Sequence, residues 1–218
     1  MTASLADQRP LAGVTVLDFS TLLPGPLATL MLAEAGARVI KIERPGGEDM
    51  RIHGPIVGAG AEAMSAYYAV LNRGKEIVTL DLKSADAVEK LRPLIETADV
   101  VMEQFRPGVM ERLGLGYEAL AAINPRIVYC AITGYGAAGP RAAAPGHDLN
   151  YQATTGALSI GRLPRVDPAP PGLLAADIAG GTFPAVINIL LALLGREKTG
   201  RGTRLDIAMT DAMFTFGF

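Results

Sequence analysis

The sequence predicts an α/β fold, a mostly parallel sheet with helices on both faces, over a single domain of residues 1–218. Short β-branched and aliphatic runs alternate with stretches of helical periodicity along nearly the whole chain. The first strand, helix and strand fall within about thirty residues, the length of a βαβ unit with two parallel strands and a right-handed crossover. Glycine and proline punctuate the joins. Repeated βα units of this kind build a parallel sheet covered on both sides.

Residues 14–19 form the first strand, after Gly13. Leu23-Pro24-Gly25-Pro26 ends it and opens a helix, since proline is tolerated in a first turn. Residues 27–35 carry apolar side chains at helical spacing, and Gly36 supplies the stop. Residues 38–43 are the second strand, 65–71 a short helix and 76–81 the next strand. Ser84 caps a helix over 85–97, in which Pro93 predicts a kink or early break. Residues 99–103 are a strand and 117–123 a helix, ended by Asn124-Pro125. Residues 127–133 are a strand running into the loop Gly134-Tyr135-Gly136. Pro164, Pro168, Pro170 and Pro171 make residues 163–172 a surface loop. Residues 182–194 form a long apolar helix with Pro184 in its first turn. Residues 195–202 read as a polar turn with Arg196, Glu197, Lys198 and Arg201, and 203–209 as a strand. An apolar helix pattern starts at Asp211 without a stop before Phe218, so the sequence is expected to continue.

The chain is long enough for one large core. Half of it is hydrophobic, 19% is charged and the net charge is −2. That balance is globular and gives no reason to expect a nucleic-acid partner. Cys130 is the one cysteine, which excludes an internal disulfide and fits the reducing cytoplasm. Its apolar neighbours make it an inert strand residue. Residues 1–10 lack the apolar stretch of an export signal. The apolar helix, about a dozen residues, is too short to span a bilayer. The chain is therefore expected in the cytoplasm without a membrane partner. No Cys, His and acidic cluster stands at metal-ligand spacing, which predicts no metal.

Chemistry concentrates in two segments. Gly146-His147-Asp148-Leu149-Asn150-Tyr151 carries one of the two histidines within a Gly/Pro-rich stretch. Further on, Asp177 stands alone between small and apolar residues, ahead of Gly180-Gly181. A histidine and an aspartate in one pocket suit general acid–base work or an activated nucleophile. The plainer roles are a loop histidine satisfied by backbone and an aspartate that caps the next helix. The glycines could let backbone N–H groups approach an oxyanion. His53 reads as a loop residue without a role. The N-terminal βαβ unit, closed by Glu43, raises a dinucleotide-binding alternative, yet Leu23-Pro24-Gly25-Pro26 lacks the glycines of G-x-G-x-x-G.

Several segments, taken in order, resemble the family III CoA-transferases, the CaiB/BaiF group that includes the 2-methylacyl-CoA racemases. They are residues 10–18, Pro24-Gly25-Pro26, residues 36–45, Asn72-Arg73-Gly74-Lys75, Arg106-Pro107-Gly108-Val109, Gly146-His147-Asp148 and Gly200-Arg201-Gly202. The resemblance runs from about Pro10 to Ala212 and is closest in motif to the racemases. It implies a Rossmann-like large domain that binds CoA, with the family's small domain and C-terminal return absent or incomplete. It further implies a homodimer whose chains interlock as linked rings. No cofactor is held permanently; CoA arrives as part of the acyl-CoA substrate.

The resemblance makes Asp177 and His147 the catalytic pair. In the transferase branch, an aspartate matching Asp177 attacks the thioester and becomes a mixed anhydride, and the departed CoA returns to the second acyl group. In the racemase branch, residues matching His147 and Asp177 face opposite sides of the α-carbon; that branch also uses a glutamate from beyond residue 218. CoA carries phosphates, which need cations and donors. By resemblance and strand-end position, Arg44, Arg73, Lys75, Arg106 and Arg112 serve that need. Leu22, Leu23, Gln104 and Phe105 line the adenine and pantetheine path, and Gly146, Asp148 and Tyr151 complete the CoA-binding set. Histidine at 147 tilts the expectation to a 2-methylacyl-CoA racemase. CoA transfer through Asp177 is the alternative, and a CoA-binding or subunit-pairing module without turnover is the second.

Overall fold

The computed structural model describes residues 9–60, 63–160 and 171–218. The surface loop expected at 163–172 lies outside the described residues up to residue 170. The chain opens with β1 (Thr15–Asp18), α1 (Pro24–Glu34) and β2 (Arg38–Glu43). A 3-10 turn (Asp49–Ile52), a ribbon of β3 (Ile56–Val57) and β4 (Met64–Ser65), and α2 (Ala66–Leu71) precede β5 (Glu76–Thr79). Next come α3 (Ala87–Thr97), β6 (Val100–Glu103), α4 (Val109–Arg112), α5 (Tyr117–Ile123) and β7 (Val128–Thr133). Then follow α6 (Asp148–Thr154), a π-helical segment (Ala176–Thr182) continuing into α7 (Phe183–Thr199), β8 (Thr203–Ala208) and α8 (Met209–Phe214).

Six strands form one sheet in the order β5-β2-β1-β6-β7-β8, and every pairing in it is parallel. The chain starts in the middle at β1 and winds out to β5. It returns to β6 beside β1 and winds out the other way. Where the direction reverses, the loops after β1 and β6 part and leave a crevice at the carboxyl ends of the strands.

Strand pleat sorts the core. Val16, Val39, Val100, Val128, Cys130 and Ile132 face Ala28 and Leu32 of α1 and Ala185, Ile189 and Leu193 of α7. Leu17, Ile40, Val101, Tyr129 and Ala131 face Leu91 and Ile95 of α3, Met110 of α4 and Leu120 of α5. Both faces are covered, so the central strands are continuously apolar rather than alternating. Cys130 is buried in this core as a free thiol.

Tertiary contacts override several local expectations. Pro93 does not break α3, which runs through it to Thr97. Leu91 and Ile95, fully buried on either side of the proline, anchor the helix to the sheet. α3 begins at Ala87 after Asp86, and the Ser84 hydroxyl bonds to the Asp81 carbonyl at 2.7 Å instead of capping. The polar turn expected at 195–202 is helical through Thr199. Arg196 is buried there and binds the Asp99 carboxylate at 2.8 Å and the Arg126 carbonyl at 3.1 Å. That tether carries the helix on until Gly200, whose φ of 68° ends it.

The π turns lengthen this helix at its start as well. It spans Ala176–Thr199, 24 residues, long and apolar enough by length and composition to cross a membrane. Length therefore does not exclude a membrane span, contrary to expectation. One side of the helix covers the sheet. Phe183, Ile187, Leu190, Leu191 and Leu194 form an exposed apolar row on the other.

Candidate active site

A cleft of about 510 Å³ opens at the crevice. Thr21, Leu22 and Pro24 enter it from the β1–α1 loop, and Gln104, Phe105, Arg106 and Pro107 from the segment after β6. Thr133 and Gly134 at the end of β7, His147 and Tyr151 around the start of α6, and Asp177 of the π-helical segment close it.

Asp177 occupies the second position of the π-helical segment, a distortion common at functional sites. Its backbone N–H donates to the Asp148 carboxylate at 2.9 Å. Asp148 is itself buried and accepts from the Gln152 amide. Burial, and then the negative charge of Asp148, push the Asp177 carboxyl up to about 7. At neutral pH such a group can take a proton, return one or attack as a carboxylate.

Gly180 and Gly181 let this segment press against its neighbours. A Cβ at 180 would lie 2.6 Å from the Met209 carbonyl oxygen, and one at 181 would lie 3.1 Å from Pro24 Cβ. Both glycines are buried. They let the helix pack closely on α8 and α1.

His147 stands immediately before α6. Its N–H donates to Asn150 Oδ1 at 2.9 Å, which satisfies a donor at the helix start. The residue is exposed and lines the same cleft as Asp177. Tyr151 fixes the turn that carries it. A Cβ at Gly134 or Gly146 would lie 2.4 or 2.6 Å from the Tyr151 ring, so only glycine fits at either place. The Tyr151 hydroxyl donates to the Gly146 carbonyl, and its ring meets Tyr135 edge-on at 5.2 Å. Burial, followed by the charge of Asp177, raises the Tyr151 phenol to about 12, so it stays neutral.

The strand order matches that of dinucleotide-binding sheets, but the helix at the switch point offers no pyrophosphate cradle. Pro24 and Pro26 have no N–H. The Gly25 N–H donates to Gln104 Oε1 at 3.0 Å and the Leu27 N–H to the Leu23 carbonyl at 2.9 Å. Gln104 Nε2 also donates to the Thr21 carbonyl, so this one side chain ties the β6 loop to the β1 loop.

Leu22, Gln104, Phe105, Arg106, Gly146 and Tyr151, expected along the CoA path, reach the cleft with His147 and Asp177. Asp148 lies behind it, under Asp177. Leu23, Arg44, Arg73, Lys75 and Arg112 are not among the residues lining it. The Lys75 side chain is fully buried, with Nζ 3.1 Å from Asp18, 2.8 Å from Thr29 and 2.9 Å from the Pro26 carbonyl. Its ammonium protons are committed inside the fold and leave none for a phosphate. Arg44 pairs with Asp49 and Arg73 with Glu34, both on the surface; Arg112 is exposed on α4. Among the described residues, Arg106 is the single Arg or Lys lining the cleft. Thr133, Gly134 and Asn150 were not anticipated. The carboxyl-end rule, applied to the strand at 127–133, points to the first two.

Fold and cleft together define a doubly wound α/β protein with the buried carboxyl of Asp177 in the cleft at its switch point and a blocked helix N-terminus. The family model for CoA-transferase family III matches residues 11–217, and the chain belongs to that family. It is 41% identical to an acetyl-CoA:oxalate CoA-transferase from Acetobacter aceti, over 99% of this chain and 54% of that one. It is 40% identical to the alpha-methylacyl-CoA racemase of Homo sapiens, over 92% of this chain and 48% of that one. A crystal structure of a CAIB/BAIF family protein from Brucella suis superposes with a TM-score of 0.89 at 39% identity, covering 94% of this chain and 55% of that one. The chain thus spans about half the length of the curated relatives it matches.

Proposed function

We propose that the protein is an acyl-CoA enzyme in which Asp177 is the reacting carboxylate, and that its reaction is α-epimerisation of a 2-methylacyl-CoA. The observation that supports this reading is the presence of His147 and Asp177 in one cleft. The thioester acidifies the α-proton. One member of the pair removes it, the electron pair delocalises onto the thioester oxygen, and the other member delivers a proton to the opposite face. An aspartate held near 7 serves as base in one direction and acid in the other. Arg106 is placed to meet an anionic part of CoA. The exposed row on α7 supports a dimeric enzyme, since apolar rows of this kind are commonly covered by protein.

A second reading is CoA transfer. It is favoured by the name of the Acetobacter aceti relative, whose identity of 41% stands beside 40% for the human racemase. An Asp177 carboxylate oxygen would attack the thioester carbonyl and expel CoA thiolate. The thiolate would then attack the Asp177 carbonyl of the mixed anhydride, release the first acid as its carboxylate and leave an aspartyl-CoA thioester. The acceptor carboxylate would attack that thioester and expel the thiolate again. The thiolate would attack the acceptor's acyl carbonyl in the new anhydride, giving the new acyl-CoA and free Asp177.

Incubation of the full-length protein with a 2-methylacyl-CoA in deuterated water, followed by mass spectrometry of thioester and protein, separates the readings. Deuterium at the α-carbon, lost in Asp177→Asn and in His147→Ala, supports epimerisation. No exchange, with a hydroxylamine-trappable acyl group on Asp177, overturns it in favour of transfer. CoA binding with neither signal leaves a binding module.

A further inference from the structure

Among the described residues, Leu22 is the one non-glycine with a positive φ, 61°. A leucine holds that left-handed conformation only when its surroundings enforce it, and such residues concentrate at functional sites. Here the enforcement comes from a buried acid. The Leu22 N–H donates to Glu48 Oε2 at 2.7 Å. The other Glu48 oxygen lies 2.8 Å from Lys41 Nζ, with the two side chains 2% and 0% exposed. Lys41, in the middle of β2, also donates to the Ser20 carbonyl at 2.6 Å. From the opposite side, Gln104 grips the Thr21 carbonyl and the Gly25 N–H. The loop from Ser20 to Gly25 is thus held by side chains of β2 and of the segments that follow β2 and β6, and its Thr21 and Leu22 line the cleft.

We propose that Glu48, backed by Lys41, is a positioning residue that holds Leu22 in its left-handed conformation and thereby sets the cleft wall on which the CoA moiety rests. This rests on the acyl-CoA reading of the cleft. Burying an ion pair is a costly way to satisfy one N–H, because both charges lose their water. A charge-assisted hydrogen bond is also short and directional. It locks a backbone that would otherwise relax to an ordinary conformation and carry the Leu22 side chain with it. Small displacements of a binding wall weaken binding and positioning even when the fold survives.

Two double variants isolate the hydrogen bond. Lys41→Met/Glu48→Gln and Lys41→Met/Glu48→Leu both remove the ion pair with neither partner's charge left behind, and both withdraw the Lys41 charge from Asp18 alike, so that loss cancels between them. The glutamine keeps an oxygen for the Leu22 N–H; the leucine does not. Calorimetric titration of the full-length protein with coenzyme A should show the leucine version binding about tenfold more weakly than the glutamine version. In turnover, KM for acyl-CoA should rise by a similar factor with kcat little changed. Adding Leu22→Gly to the leucine version removes the penalty of the left-handed backbone and should recover part of the loss, which a general structural role would not produce. If neither double variant folds, Glu48→Asp decides: it keeps a charge for Lys41 but withdraws the acceptor by one methylene, and should raise KM about tenfold. Equal affinities in the two folded double variants, or an unchanged KM in Glu48→Asp, overturn the proposal. Failure of the native protein to bind coenzyme A overturns the acyl-CoA reading instead.

Discussion

The Asp148 carboxylate accepts the backbone N–H of Asp177 at 2.9 Å, so the acid that anchors Asp177 also perturbs its carboxyl. Burial raises the Asp177 carboxyl first, and the Asp148 charge raises it further, to about 7. Asp148→Asn keeps an oxygen for the N–H and removes the charge. The acid limb of the kcat/KM profile should then move below pH 7 without disappearing, since burial still opposes ionisation. A pH profile with an unmoved acid limb would refute this coupling.

Asp177 should also trade stability for function. Its folded-state value of about 7 exceeds the ordinary 3.8, so the folded protein binds this proton more tightly than the unfolded chain. The stability contributed is full below about 3.8 and is lost as pH rises through about 7. Asp177→Asn should abolish turnover and raise the melting temperature at pH 8, with no gain at pH 4. Melting curves at the two pH values check the sign.

Glu103, at the end of β6, behaves similarly. Burial is the main cause that raises its carboxyl to about 7. It accepts the Phe105 N–H at 2.7 Å and the Tyr129 hydroxyl at 3.4 Å. Glu103→Gln keeps one oxygen for the Phe105 N–H, turns an NH2 donor toward the Tyr129 hydroxyl oxygen, and carries no charge. The variant should lose less stability than the native protein between pH 5 and pH 8.5, as read by thermal unfolding. Parallel melting curves would rule this out.

Lys75 should matter to folding more than to phosphate. Burial opposes ionisation of Asp18, but Lys41, Lys75 and the hydroxyls of Ser20 and Thr29 outweigh it and hold Asp18 at about 2. Lys75→Met leaves that buried carboxylate short of a partner and should cost about 3–5 kcal/mol in urea unfolding. Adding Asp18→Asn should return much of the loss. A Lys75→Met protein of native stability that binds CoA weakly would restore the phosphate role.

Gly180→Ala places a methyl 2.6 Å from the rigid Met209 carbonyl oxygen and should destabilise by about 1–3 kcal/mol in urea. Gly181→Ala meets Pro24 Cβ at 3.1 Å and the Met209 side chain at 3.2 Å, both looser than the contact at 180, and should cost less. The reverse order would contradict the packing role.

Much of this was legible in the chain. The strand at 38–43 and the helix at 117–123 lie where periodicity and turn residues put them, because local preference and burial agree there. His147, Asp177, Gln104, Phe105 and Arg106 could be found because site segments follow strand ends in a sheet of this type. The end of α7 was misread because Arg196, polar in any local window, pairs with Asp99 across the fold.

By itself the sequence determined the alternation of strands and helices, the sheet class and the family to which the chain belongs. These follow from short-range periodicity and ordered motifs. The tertiary structure alone decided that Lys75 serves Asp18 and that Gly180 and Gly181 serve packing. It also decided that Glu48 reaches Leu22, and that Asp148 lies close enough to Asp177 to shift its titration. Each of these depends on distances of a few ångströms between residues far apart in the chain. Burial then determines which charges act on each other strongly, and no local pattern of residues encodes that.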